Sequence, residues 1–214
     1  MKKILKEYLN KDIKLNRKEL ISVICMIIVF SGVFGWLYEF LFYYLNSGFK
    51  TFYMRGGNFL PWINIYAYGA FLILLLAYKR RKHPVQVFLI SMISTGILEY
   101  ISGYILYGKL HWIRCWDYNQ EILNFGNING YVCLRSVLVF GLSGLLLVYF
   151  ILPLFMKFVK GNKNIDIIFI VSVIVCSIFL IDEIYNLIFP SLFEFPKATE
   201  IYKGLGLKYI YFKY

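Results

Sequence analysis

Residues 20–45, LISVICMIIVFSGVFGWLYEFLFYYL, hold a single charged side chain, Glu39. A helix crosses the hydrocarbon core of a bilayer with about 20 apolar residues at 1.5 Å each, so this stretch is long enough to span. Four more stretches read the same way: 61–78, 84–107, 131–156 and 165–189. The rest of the 214-residue chain agrees, with 60% hydrophobic and 16% charged residues and a mean hydropathy of +0.64. Soluble domains stay nearer 45–50% apolar. The expected fold class is an all-α integral membrane protein: about five transmembrane helices plus an N-terminal amphipathic interfacial helix.

The second span is the most polar at its start, where Pro61, Asn64 and several tyrosines fall. Pro61 and Pro84 each suit the first turn of a helix, where the missing N–H has no intrahelical partner to lose. Residues 1–19 interleave seven Lys or Arg with Ile4, Leu5, Leu9, Ile13 and Leu15, a pattern suited to a helix lying on the membrane surface. The following apolar run is too long, and lacks the small-residue site, for a cleaved signal peptide. The expected division is a cytoplasmic basic helix at 1–19, a five-helix domain at 20–190 and an outer interfacial tail at 191–214. No internal repeat is visible, which argues against an inverted-repeat transporter.

Charge sets the expected orientation. The formal net charge is +11, and 1–19, 79–83 and 157–164 together hold fourteen of the 23 Lys and Arg residues. Basic loops stay on the cytoplasmic side, so the N-terminus is expected inside, the C-terminus outside, and the chain in the plasma membrane. The basic excess reads as topology signal and attraction to anionic lipid head groups, not as a nucleic-acid footprint.

In this topology the spans' acids share one depth. Glu39, Glu99, Asp182 and Glu183 all come about 10 Å below the outer surface at 1.5 Å per residue. Ionisable groups there normally face a bundle interior or a cavity, so the four are expected to meet in one outward polar chamber. Gly32, Gly35, Glu39 and Asn46 form one helical stripe, and Ser91, Thr95, Glu99 and Ser102 another. Asp182 and Asn186 are i,i+4 neighbours. Small residues on such stripes let helices approach closely. Arg55, Lys109, Arg114 and Arg135 can balance the acids, with His111 nearby. The competing reading is structural: buried acid–arginine pairs that only hold helix register.

Trp36, Trp62, Trp112 and Trp116 fall near the outer interface, and for Trp62 and Trp112 an aromatic belt is the expected role. Cys25 and Cys176 read as small buried hydrophobes. Cys115 and Cys133 flank one loop and could pair if that loop lies outside the cell, but no disulfide framework is implied. His83 and His111 fall on opposite sides, so they form no common metal site.

Several motifs resemble one family. Gly35-Trp36-Leu37-Tyr38-Glu39 resembles the GWxxE signature of the CmpB-like permeases, described as putative ABC-transporter type IV. Arg55-Gly56, Pro61, Ile65-Tyr66 and Gly69 resemble its RG…GP…PIYGfG segment. Leu98-Glu99-Tyr100 resembles its LEY element, Trp116-Asp117-Tyr118 its WDY, and 127–134 (NINGYVCL) its FNxxGRICL. The agreement covers about residues 30–155 and leaves the fifth span and the tail outside. Three positions depart: Asn64 replaces a proline, Ala67 a glycine, and Tyr131 an arginine, for which Arg135 could stand in.

The resemblance implies a permease component. The candidate ligand-binding set is Glu39, Arg55, Tyr66, Glu99, Arg114, Trp116, Asp117, Arg135, Asp182 and Glu183. No catalytic set, metal site or cofactor is assigned. The chain has no GxxxxGK[ST], so ATP chemistry would need a separate ATPase subunit. Its expected docking surface is small, because the inner loops are short. The other expected partners are membrane lipid and, as an open alternative, a second copy of the chain.

Three functions compete. One is a transport component accepting a cation or cationic metabolite. A second is a membrane-embedded enzyme acting on a lipid-linked substrate, with Glu39, Glu99 and Asp117 as acid and base and arginines on phosphate. The third is a non-catalytic assembly partner. No HExxH, GxSxG or Ser/His/Asp set supports the second.

Overall fold

A computed structural model describes residues 8–9, 13–109 and 116–209. The chain is 71% helical, with no strands among the described residues. Helix α1 is Arg17–Asn46 and α2 Asn64–Ala77; α3 is Pro84–Lys109, its last turn from Tyr104 wound as a π-helix. Helix α4 is Leu134–Val159 and contains a π-turn at Leu147–Ile151. Helix α5 is Ile165–Phe193, and a short α6 follows at Ala198–Gly204. Helices α1, α3, α4 and α5 are long and apolar enough to cross a membrane.

The expected second span, 61–78, falls short as a helix. Helix α2 has 14 residues, which reach about 21 Å against a hydrocarbon core of about 30 Å. Pro61 is not in its first turn, as the sequence suggested, but three residues upstream in a non-helical segment. That segment is held from outside: the Ile63 N–H donates to the Gly32 carbonyl at 3.0 Å. Pro84 does start α3.

Helix α2 packs between α1 and α3, α3 lies along α4, and α5 packs on α1. Glycines set these approaches. A Cβ on Gly35 would sit 2.2 Å from Cγ of Tyr66, and one on Gly144 would sit 2.1 Å from Oγ of Ser91. Gly32 and Gly35 lie on the buried α1 stripe with Glu39, whereas Asn46 is exposed. The π-turn in α4 precedes Pro153, which has no N–H for the Tyr149 carbonyl and whose ring crowds it, so the register widens there.

The basic pole is closed by side chains. Asn16 and Glu19 form a capping box at the start of α1, and Oε1 of Glu19 also accepts from the Gly161 N–H at 2.8 Å. The Arg81 guanidinium lies over the Tyr78 ring, and its Nε donates to the Tyr8 carbonyl at 3.0 Å. Tyr8 is fully buried, and Leu9, Ile13 and Leu15 pack on the same apolar cluster. The described part of the N-terminal segment therefore lies against the bundle, with residues 13–16 non-helical. The rest of the expected interfacial helix lies outside the described residues. Cys176 is buried and Cys25 half-buried, as small hydrophobes in a core would be.

Candidate functional site

At the opposite pole the end of α1, the start of α2, the start of α4 and the loops that hold Arg55 and residues 116–121 surround a cavity of about 40 Å³. Its wall includes Tyr38, Glu39, Tyr43, Arg55, Tyr66, Trp116, Tyr118, Glu121, Arg135 and Ser136. A buried water occupies at least about 10–15 Å³ on this scale, so the space suits about three waters.

Two ion pairs line it. Arg55 donates from Nε to Oε2 of Glu39 at 2.8 Å, with its NH2 nitrogen 2.7 Å from the same oxygen. The Tyr66 hydroxyl donates to the other Glu39 oxygen at 3.2 Å. In the second pair, Arg135 reaches Oε2 of Glu121 at 2.7 Å and the Ile122 carbonyl at 2.8 Å. Tyr43 joins the two pairs: its ring lies 4.1 Å beneath the Arg55 guanidinium, and its hydroxyl donates to Oε1 of Glu121 at 2.7 Å. Arg135 in turn lies 4.7 Å over the Phe42 ring, so each arginine has a carboxylate and an aromatic face, a partnership that makes a buried guanidinium tolerable.

Glu99 sits behind this wall. Its carboxyl meets the Tyr118 hydroxyl at 2.5 Å and Oγ of Ser136 at 2.7 Å. Among the described residues it has no cationic partner. Its α3 stripe, with Ser91, Thr95 and the half-buried Ser102, does face inward as expected. Burial also holds the Tyr118 phenol protonated, well above its ordinary range.

The remaining candidates divide. Trp116 lines the cavity, but its Nε1 donates to the Tyr131 carbonyl at 3.0 Å. Asp117 is buried below the loop, accepting from the Asn119 N–H at 3.0 Å and from the Gln120 amide at 2.7 Å. A Cβ on Gly130 (φ +75°) would sit 2.3 Å from its Oδ1. The Asn-Gly turn therefore closes on this acid, and Asp117 organises the loop.

Asp182 belongs to a second cluster and does not reach the cavity. Its oxygens accept from the Phe59 N–H at 2.9 Å, the Leu60 N–H at 3.0 Å, Nε1 of Trp62 at 3.0 Å and Nδ2 of Asn186 at 2.8 Å. Glu183 faces Tyr68 and Asn64 of α2. The four span acids thus part into separate groups. Trp62 is buried against Phe179 and bonded to Asp182, so it is a core residue and not a member of an aromatic belt. Lys109 lies over the Tyr104 ring, away from the cavity wall. Arg114, His111, Trp112 and Cys115 lie outside the described residues; Cys133 is buried as a free thiol.

Sequence reasoning missed Tyr43, Glu121 and Ser136. Tyr43 was findable, since it stands i+4 from Glu39 on the same helix face. Glu121 carries no spacing signal, because a loop has no period.

The chain matches no curated protein and no solved structure. The family model described as "Putative ABC-transporter type IV" matches residues 12–187, which takes in most of α5 beyond the stretch where motifs were legible, and the chain belongs to that family.

Proposed function

We propose that this chain is the membrane component of a transport system and that the cavity between Glu39–Arg55 and Glu121–Arg135 is its solute site. The two ion pairs that line it carry the reading. Charges are withdrawn from water at a helix-bundle end, where each needs a reason to persist. They are also removable, because a charged solute can replace one partner of each pair. Room for about three waters means that a larger solute enters only as the pairs part. Three carboxyls against two arginines favour a small cation or cationic solute. The family description and the apolar helices support a transport role over an enzyme or a passive assembly factor.

In this reading the cavity opens to the outer face, the N-terminus is cytoplasmic and the C-terminus outside, as the basic hairpin at 79–83 favours. This needs α2, with the non-helical residues 61–63 before it, to carry the chain back to the basic pole as a fifth crossing. Residues 1–19 and 191–214 are the flanking cytoplasmic and interfacial segments. A separate ATPase would dock on the basic pole, since this chain has no P-loop of its own.

Single-cysteine variants at Phe52 and Ile122, both exposed near the cavity, test the arrangement. Labelling of intact cells from outside is expected at both positions. Labelling only after permeabilisation reverses the orientation. Purified protein in vesicles should take up a cationic probe from a panel of inorganic cations and basic amino acids, and lose that uptake in Glu39→Gln. Turnover of a lipid-linked substrate without uptake would replace transport with catalysis.

A further inference from the structure

The oxygens around Glu99 can be counted against their hydrogens. Oη of Tyr118 lies 2.5 Å from one Glu99 oxygen, and Oγ of Ser136 lies 2.7 Å from the other and 2.9 Å from the Cys133 carbonyl. The Cys133 N–H already donates to Oγ of Ser136 at 3.3 Å. Three hydroxyl hydrogens make each of the three oxygen–oxygen contacts a full hydrogen bond, and Tyr118 and Ser136 bring one each. A carboxylic acid on Glu99 supplies the third. Its O–H donates to Ser136, Ser136 donates to the Cys133 carbonyl, and Tyr118 donates to the remaining Glu99 oxygen. With an ionised Glu99, the single Ser136 hydrogen must be divided between the carboxylate and the Cys133 carbonyl, and neither contact is a full hydrogen bond.

The surroundings act in the same direction. The groups facing Glu99 are Glu39 of α1, Tyr66 of α2, and Tyr118 and Glu121 of the α3–α4 loop. On its own helix Tyr100 is turned to Asn129, and on α4 Arg135 is turned to Glu121. Both neighbouring acids hold their own arginines, so among the described residues no cation is left to offset a Glu99 charge. Glu99 is 5% exposed inside an apolar helix bundle, and its carboxyl is held only by hydroxyls.

We propose that Glu99 is a proton-binding site of the cavity, occupied in this closed arrangement and discharged through the wall that Tyr118 and Ser136 form. Loss of the proton adds one negative charge to a wall whose other four charges cancel. That charge would hold the cationic solute of the transport reading, so proton and solute compete for one place. This exchange rests on that reading; the proton itself does not.

The test is modification of purified protein by dicyclohexylcarbodiimide, which enters apolar regions and adds to protonated carboxyls, with the site read by peptide mass spectrometry. Glu99 should carry the adduct, Glu39 and Glu121 should not, and the rate should fall about tenfold per pH unit above the Glu99 midpoint. Glu99→Gln, whose amide can make the same contacts, should fold normally and lose the adduct. Tyr118→Phe removes a donor that favours the charged form, so its adduct should persist to higher pH. An unmodified Glu99 at acid pH, or modification indifferent to pH, overturns the proposal. Sodium, potassium or arginine added as competitor separates the two readings. An adduct that none of them protects keeps the proton site and removes the cationic solute.

Discussion

Asp182 and Glu99 are two buried span acids on different helices, and the donors around them give them opposite roles. Asp182 draws two backbone N–H groups, an indole N–H and an amide onto one carboxylate. All four require a charged or at least purely accepting partner, and all are fixed in place. Glu99 meets two hydroxyls, which can donate or accept. One acid is an anchor that holds residues 59–62 to α5. The other is free to change its proton without breaking the local structure. Burial alone does not separate them, since both are below a tenth exposed; donor chemistry does.

The largest effect is expected on the anchor side. Asp182→Ala leaves several buried N–H groups without an acceptor and should lower stability by about 3–5 kcal/mol, read as a drop in melting temperature in detergent. Asp182→Asn turns an NH₂ towards those donors and should also destabilise clearly. If Asp182→Asn melts like the parent, the contrast with Glu99 collapses. Next comes Glu39→Gln, which removes the charge opposite buried Arg55 while keeping the shape. A loss of about 2–3 kcal/mol is expected, with uptake abolished even at temperatures where the variant is folded.

Gly35→Ala sharpens the same side, because its Cβ would strike Tyr66 and displace the hydroxyl that reaches Glu39. About 1–2 kcal/mol is expected from the overpacking. The smallest effect belongs to Glu99→Gln, at less than about 1 kcal/mol, because an amide reproduces an acid's one donor and one acceptor there. A melting point falling as far as that of Asp182→Asn would show that Glu99 is an anchor too.

Much of the fold was legible in the chain. The 26-residue run from Leu20 announces α1, and Pro84 marks the start of α3 to the residue. The Gly35–Glu39 motif pointed to the family and to one cavity acid. The α2 boundary was not legible. Residues 61–63 are apolar enough to continue the helix, but the Gly32 carbonyl and the Asp182 carboxylate take the neighbouring N–H groups in a different backbone shape. The single chamber was also an over-reading, since equal depth along parallel helices says nothing about which way each acid faces around its axis.

By itself the sequence determined the solvent and the scaffold: hydropathy and helical spacing are properties of neighbouring residues, and they suffice to place apolar helices in a bilayer. Tertiary structure decided which acid meets which donor. Asp182 is bonded to backbone groups more than 120 positions away, and Glu99 to a hydroxyl 37 positions away. A carboxyl's charge depends on those partners, and no local pattern records them.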